Sequence, residues 1–134
     1  MRKENLLYIP VALLALAFFV ESSFPQPEFI DLSIHLRDKI FHFIGYFVLG
    51  LSVQMAAYRR NINIKTSTLL WITLLFGSIY GASDEIHQYF VPGRSCDILD
   101  WLADTLGSFS SILLYKQIRK SSMSLVAFFT KDNK

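Results

Sequence analysis

Cysteine is almost absent from this sequence, since Cys96 is the only one among 134 residues. A single cysteine excludes an intramolecular disulfide, and it leaves no cysteine pair with the spacing of a zinc site. The sequence also lacks the short signatures of α/β-hydrolase serines, zinc proteases and phosphate-binding loops. It therefore gives no motif-based reason to expect any of these chemistries.

Charge is scarce as well. Only 18% of the residues are charged, whereas 52% are hydrophobic, and the net charge is +2. No basic block is long enough to predict a nucleic-acid-binding surface. This composition is typical of a membrane protein, and the length suits a single domain over residues 1–134.

Four apolar stretches predict an all-α membrane protein, a bundle of four transmembrane helices. The first stretch, residues 1–20, has the basic start of a secretory signal, but we favour a transmembrane helix because no small-residue cleavage site follows. Pro25 and Pro27 should end it. The other predicted helices cover residues 38–58, 68–83 with a continuation to 89, and 95–116 with Ser95 as N-cap. Residues 29–37 are expected to lie extended or flat at the membrane surface, and residues 121–134 to form an interfacial or disordered tail.

Lysine and arginine are concentrated at both ends of the chain and in the loop after the second helix. Positively charged loops remain on the cytoplasmic side, so both termini are predicted to be cytoplasmic. The loops after the first and third helices then face outward. A G-x-x-x-G step at Gly77 and Gly81 predicts that another helix approaches the third helix closely.

Polar side chains collect at the predicted outer ends of three helices. Ionisable groups at membrane depth cost about 2.5–3.5 kcal/mol each on insertion scales, which makes them functional candidates. Their spacing of three or four residues places them on shared helix faces, which we expect to meet inside the bundle at a cleft open to the exterior. This polar constellation comprises Asp38, Lys39, His42, Tyr46, Asp84, Glu85, His87, Gln88, Arg94, Asp97, Asp100 and Asp104.

Six acids against two fixed bases leave the constellation four charges negative. Water at its mouth, protonation of the deepest acids or a bound cation would each relieve that charge. No metal site and no cofactor is predicted. We expect Arg94 to pair with one or two of these carboxylates, because its planar fork can hold a carboxylate through two hydrogen bonds.

Two segments of the constellation, DKIFHFIGYFVLG and DEIHQYFVPGRSCDILDWLADTLG, resemble the VanZ-like family. Its pattern is roughly D-K-x-x-H-F-x-x-Y, then E-x-x-Q-x-F-x-P-x-R-x-x-D-x-x-D-x-x-x-N-x-x-G. One position departs from the pattern, because Asp104 stands where the family usually has asparagine. The matching positions, within core residues 38–111, are Asp38, Lys39, His42, Phe43, Tyr46, Glu85, Gln88, Phe90, Pro92, Arg94, Asp97, Asp100 and Gly107.

The resemblance implies a multi-pass protein of the bacterial inner membrane. The family's namesake is linked to low-level resistance to the glycopeptide teicoplanin. The first functional hypothesis is therefore an accessory protein that binds an amphiphile, such as a membrane lipid or cell-envelope precursor. Lys39 and Arg94 would contact its phosphate or carboxylate, and Gln88 and His42 would orient it. Further lining residues would be Tyr46, Glu85, Asp97, Asp100 and Asp104.

Two other functions remain open, so the sequence does not decide whether the protein is an enzyme. An intramembrane enzyme would use His42 with Asp38, or Glu85 with Asp100, as general acid and base on a lipid-linked substrate. A small transporter or scramblase would use Asp104 as a proton-linked group. The sparse polar residues in the inner halves of the second and third helices disfavour a transport path.

Overall fold

Four α-helices make up the computed structural model, which describes residues 3–25, 32–61 and 63–131. No strand occurs in these ranges, so the all-helical prediction is confirmed. The helices are α1 (Ile9–Ser22), which follows a 3₁₀ turn at Lys3–Tyr8, α2 (Leu32–Arg60), α3 (Thr66–Gln88) and α4 (Ile98–Lys131).

Within the described residues, one helix is both long and apolar enough to cross a membrane, namely the Leu36–Arg60 part of α2. The apolar helix Leu6–Ser22 is shorter than the roughly 20 residues that a span requires. α3 and α4 are long enough, but polar residues interrupt their apolar sequence. The four-span bundle is therefore not confirmed by length and composition.

α2 and α4 share the most extensive contact of any helix pair, α3 packs on both, and α1 lies against α2 and α3. The crossing of α2 and α4 depends on Gly107, because a Cβ there would collide with the backbone carbonyl oxygen of Phe43. Backbone atoms cannot rotate away as side chains do, so only glycine allows this distance between the two helices.

At the G-x-x-x-G step of α3 the neighbouring helix comes close through side chains of α4, and not through its backbone as predicted. Gly77 and Gly81 are both buried on the face of α3 that packs on α4. A Cβ at Gly77 would collide with Ser108, and one at Gly81 would come within 2.6 Å of Asp104 Oδ2. The two glycines thus bring the backbone of α3 against the polar stripe of α4.

Three predicted boundaries change. α2 begins at Leu32, so the extended alternative predicted for residues 29–37 is wrong from Leu32 onward, and the alternative that this segment lies flat at the membrane surface stays a prediction. Residues 29–31 and Pro27 lie outside the described ranges. α4 is capped by Asp97 and not by Ser95, because Asp97 Oδ1 accepts the Leu99 N–H at 2.8 Å. The helical backbone of α4 continues to Lys131, beyond the predicted end near residue 116.

Burial in this bundle is inverted relative to a soluble protein. Large apolar side chains such as Phe41, Ile79 and Phe90 are exposed on the outside. A small apolar core of Leu69, Ile112 and Tyr115 is present, but much of the interior is polar. The buried polar and charged residues include His42, Gln54, Thr73, Asp84, Glu85, Gln88, Asp100, Asp104, Ser108 and Ser111.

Candidate functional site

The deepest part of the site is a histidine–aspartate pair between α2 and α4. His42 Nδ1 lies 2.9 Å from Asp104 Oδ1, so the ring N–H can donate to the carboxylate. Asp104 is fully buried and His42 is 8% exposed. His42 and Tyr46 share the inward face of α2, as the spacing of four predicts.

A lysine links α2 to the start of α4. Lys39 Nζ lies 2.5 Å from Asp97 Oδ2 and 3.0 Å from Asp100 Oδ1. Asp38, the neighbour of Lys39, is half-buried and lies close to His42 and Asp100. The lysine offsets part of the negative charge here, but these contacts also occupy it. A ligand phosphate would have to compete with both aspartates for Lys39.

α3 contributes three buried polar side chains at its C-terminal end. Glu85 Oε2 accepts the Asp97 backbone N–H at 2.7 Å, which connects α3 to the cap of α4. Gln88 Nε2 donates to Asp84 Oδ2 at 3.2 Å. Asp84 is buried, although its position near the helix end favoured a solvated cap as much as a functional role. The polar faces of three helices therefore converge, as the spacing predicts.

We refer to the buried members of this group as the polar centre: His42, Tyr46, Asp84, Glu85, Gln88, Asp100 and Asp104. Four oxygens in it are buried and have no hydrogen-bond partner among the described residues. A buried polar atom without a partner costs about 1–3 kcal/mol, more when it is charged. The polar centre therefore has unused capacity to bind donors or cations at Tyr46 Oη, Asp84 Oδ1, Glu85 Oε1 and Asp104 Oδ2.

Arg94 contacts the C-terminal end of α1 and not the carboxylates of the polar constellation. Its Nη2 donates to Glu21 Oε1 at 2.7 Å and to the Glu21 carbonyl at 3.0 Å, and its Nε donates to the Phe24 carbonyl at 3.2 Å. The prediction that Arg94 pairs with a carboxylate of the constellation is thus wrong. The C-terminal end of α1 attracts the guanidinium because its last carbonyls lack helical partners. A direct role for Arg94 in ligand binding stays a prediction.

His87, a further member of the constellation, also contacts α1 and not the polar centre. Its Nε2 is hydrogen-bonded to Ser23 Oγ at 2.9 Å, and its ring stacks on Phe19 with centroids 4.5 Å apart. Both contacts lie at the C-terminal end of α1, next to Arg94. His87 is therefore a contact between helices in this structure.

The polar stripe of α4 continues below the polar centre. Ser108 and Ser111 are fully buried, and Ser111 Oγ donates to the Ser108 carbonyl at 2.6 Å. Gln54 Nε2 donates to Ser111 Oγ at 2.7 Å. Ser108 was not among the candidates, although it follows Asp104 by four residues and lies on the same face. That spacing was the signal that could have identified it.

Two surface cavities lie away from the polar centre. One, of about 550 Å³, is lined by basic residues of the α2–α3 loop and of α4: Lys65, Lys116, Arg119 and Lys120. The other, of about 440 Å³, lies on α1 and is apolar. Because His42, Glu85 and Asp104 are at most 8% exposed, an open cleft at the polar centre stays a prediction.

The family model of VanZ/LLP1 proteins matches residues 4–120 of the chain. The chain belongs to the VanZ/LLP1 family. The match includes the whole polar constellation, so the resemblance drawn from the motifs is confirmed for this VanZ/LLP1 protein. No curated protein and no solved structure matches the chain.

Proposed function

We propose that this VanZ/LLP1 protein is a multi-pass protein of the bacterial inner membrane, and that its polar centre faces outward and binds the headgroup of an amphiphile. A cell-envelope lipid or its precursor is the ligand class. The inverted burial supports the membrane location, since exposed Phe41, Ile79 and Phe90 suit lipid contact. The basic cavity beside Lys65 lies among residues that the positive-inside rule assigns to the cytoplasm.

One observation carries the proposal, the four partnerless oxygens of the polar centre. They occur on three side chains of acidic type and on Tyr46, all of them buried. The three carboxyl oxygens accept hydrogen bonds, and the Tyr46 hydroxyl can accept or donate one, so a group rich in donors satisfies most of them. An ammonium group or a cluster of sugar hydroxyls fits this requirement.

The charge of the site further restricts which part of a headgroup it can bind. Lys39 contacts Asp97 and Asp100, whereas Arg94 contacts Glu21 and keeps one buried nitrogen, Nη1, without a partner, so Lys39 is occupied and Arg94 is occupied in part. The buried carboxyl groups would repel an anion at the polar centre itself. We therefore revise the expected recognition from the phosphate of a headgroup to its donor-bearing part.

A pair of phospholipids provides the test. Phosphatidylethanolamine carries an ammonium with N–H donors, whereas phosphatidylcholine carries the same charge without them. With purified protein in detergent, native mass spectrometry should show at least tenfold tighter binding of phosphatidylethanolamine. Equal binding of the two lipids would contradict recognition through hydrogen-bond donors.

Matched variants locate the binding. Glu85→Gln removes a buried acceptor of the polar centre, and Tyr46→Phe removes its hydroxyl, so each should reduce the preference for phosphatidylethanolamine. Glu21→Gln changes an acid that is 65% exposed on α1 and should leave the preference unchanged. If the Glu21 variant alone alters binding, the headgroup binds elsewhere.

The family link to glycopeptides gives a cellular readout. We propose that binding of a cell-envelope amphiphile reduces teicoplanin susceptibility. Expression in a susceptible Gram-positive host should raise the minimal inhibitory concentration of teicoplanin at least fourfold, and Glu85→Gln should abolish the increase. Unchanged susceptibility with normal membrane expression would remove this part of the proposal.

A second candidate, an intramembrane enzyme acting on a lipid-linked substrate, is favoured by the buried pair of His42 and Asp104 beside Glu85. A histidine held by a carboxylate is a common general base. For an enzyme, His42→Ala should abolish turnover while headgroup binding survives. A transporter draws some support from the polar run of Ser108, Ser111 and Gln54, which extends inward from Asp104.

A further inference from the structure

Three metal-ligating side chains of the polar centre, one from each of α2, α3 and α4, come together. One ligand atom from each of His42, Glu85 and Asp104 lies within 4.8 Å of the other two. Two oxygens bound at about 2.1 Å to one tetrahedral zinc ion lie about 3.4 Å apart, so the three ligand atoms would have to approach one another by up to about 1.4 Å. Side-chain rotations of this size would bring all three atoms onto one ion.

The free atoms of these side chains give an independent reason to expect a ligand. Glu85 Oε1 and Asp104 Oδ2 are buried and have no partner among the described residues, and their side chains are 2% and 0% exposed. Each carboxyl group uses only its other oxygen, on the Asp97 N–H and on His42 respectively. Two buried carboxyl groups therefore lie beside an imidazole, and each has one oxygen without a hydrogen-bond partner. Together they form a set of donor atoms for a cation.

We propose that His42, Glu85 and Asp104 bind one divalent transition-metal ion, with Zn²⁺ as the best fit. Imidazole together with two carboxylates suits Zn²⁺, whereas Ca²⁺ and Mg²⁺ take oxygen ligands almost throughout. The two charges of the ion balance two carboxylates where bulk water does not reach them. Three protein ligands also leave a fourth position open for water or an oxygen of another ligand.

An overlapping group of Asp38, His42 and Asp100 satisfies the same distance limit and shares the histidine. It is the weaker alternative, because Asp100 Oδ1 already lies 3.0 Å from the Lys39 ammonium. A cation would have to displace that lysine or sit beside it. The two groups can be separated by changing Asp38 and Glu85 in parallel.

The ion would take up Glu85 Oε1 and Asp104 Oδ2, two of the four oxygens on which the proposed function rests, so a headgroup would then contact Asp84, Tyr46 and the open position of the ion. Metal binding can be measured without any lipid, so a failure of either proposal is recognised on its own. The purified protein, equilibrated with Zn²⁺ in detergent and passed through a desalting column, should retain about one zinc per chain by inductively coupled plasma mass spectrometry. Competition with a chromophoric chelator then gives the affinity. We expect Glu85→Gln, Asp104→Asn and His42→Gln each to weaken binding at least tenfold.

Asp38→Asn tests the alternative group and should weaken zinc binding less than Glu85→Gln does. Cys96→Ser is the matched control and should retain zinc with an affinity within threefold of the parent, since Cys96 is exposed and its thiol is not one of the three ligands. X-ray absorption of the zinc-loaded parent protein should show nitrogen and oxygen neighbours, including one imidazole, and no sulfur. This measurement holds even if a variant fails to fold.

Retention of no zinc above the buffer blank by the parent protein would overturn the proposal. A shell containing sulfur would also overturn it, because the ion would then be bound at Cys96. Loss of binding in Asp38→Asn with retention in Glu85→Gln would assign the ion to the alternative group and contradict the site proposed here.

Discussion

At the scale of single residues, the buried side chains of the polar centre depend on one another. Asp104 has one described partner, the ring of His42, and no contact with water. His42→Ala would leave a buried carboxyl group without its donor. Leaving a buried polar group without its partner costs about 1–3 kcal/mol, and more for a charged group, so we expect the free energy of unfolding to fall by about 3 kcal/mol.

Unfolding by sodium dodecyl sulfate in mixed micelles, followed by circular dichroism, measures this change. The matched control is His87→Ala, which removes a histidine from an exposed hydrogen bond to Ser23 and should cost less than about 1.5 kcal/mol. A double-mutant cycle between His42→Ala and Asp104→Asn should give a coupling of at least about 1 kcal/mol. Strict additivity would mean that the two side chains do not stabilise each other.

Arg94 holds the end of α1 through backbone carbonyls more than through its ion pair. Glu21 is 65% exposed, so the charge pair is worth at most about 1 kcal/mol. The Arg94 side chain is 3% exposed and also donates to the carbonyls of Glu21 and Phe24. We expect Arg94→Ala to accelerate proteolysis after α1 at least fivefold, and Glu21→Gln less than twofold. Equal acceleration by both variants would place the stabilisation in the ion pair.

At the scale of helices, the distance between α2 and α4 is set by Gly107. A Cβ there would collide with the backbone of Phe43, so Gly107→Ala should destabilise the bundle by about 2 kcal/mol. The control, Gly45→Ala, places its Cβ 2.7 Å from the ring of Phe18, a side chain that can rotate away. Thermal unfolding in detergent should show a clear decrease for Gly107→Ala and a smaller one, or none, for Gly45→Ala.

Helix spacing explains which parts of the site could be predicted from the sequence. Asp100 and Asp104 are four residues apart, so their shared inward face follows from helix geometry alone. Gly77 and Gly81 identified the contact face of α3 in the same way. The pairing of Arg94 could not be predicted, because Glu21 lies 73 residues away and its contact depends on how α1 docks. Nor could helix spacing predict whether the polar centre is open to the exterior, because that depends on how α3 packs against α2 and α4.

At the scale of the whole molecule, the inverted burial makes membrane topology the decisive question. The described residues contain one helix that qualifies as a span by length and composition. α3 and α4 carry their buried polar residues inward, against one another and α2, whereas many large apolar side chains of these helices are exposed. Interior polar groups paired with an apolar exterior are compatible with lipid. A hydropathy averaged along the sequence understates how apolar the outer face of a helix is, because it counts the inner and outer faces together.

Cys96 is a natural probe of this topology, because it is the only cysteine and is exposed in the α3–α4 loop. If both termini are cytoplasmic and the chain crosses four times, this loop faces outward. A membrane-impermeant maleimide should then label Cys96 in intact spheroplasts as fully as in lysed ones. The reporter for the other side is Asn61→Cys in a Cys96→Ser background, since Asn61 is exposed in the α2–α3 loop. It should be labelled only after lysis. If Cys96 is protected until lysis while Asn61→Cys reacts in intact spheroplasts, the topology is reversed, and the polar centre faces the cytoplasm, where it cannot meet an external antibiotic.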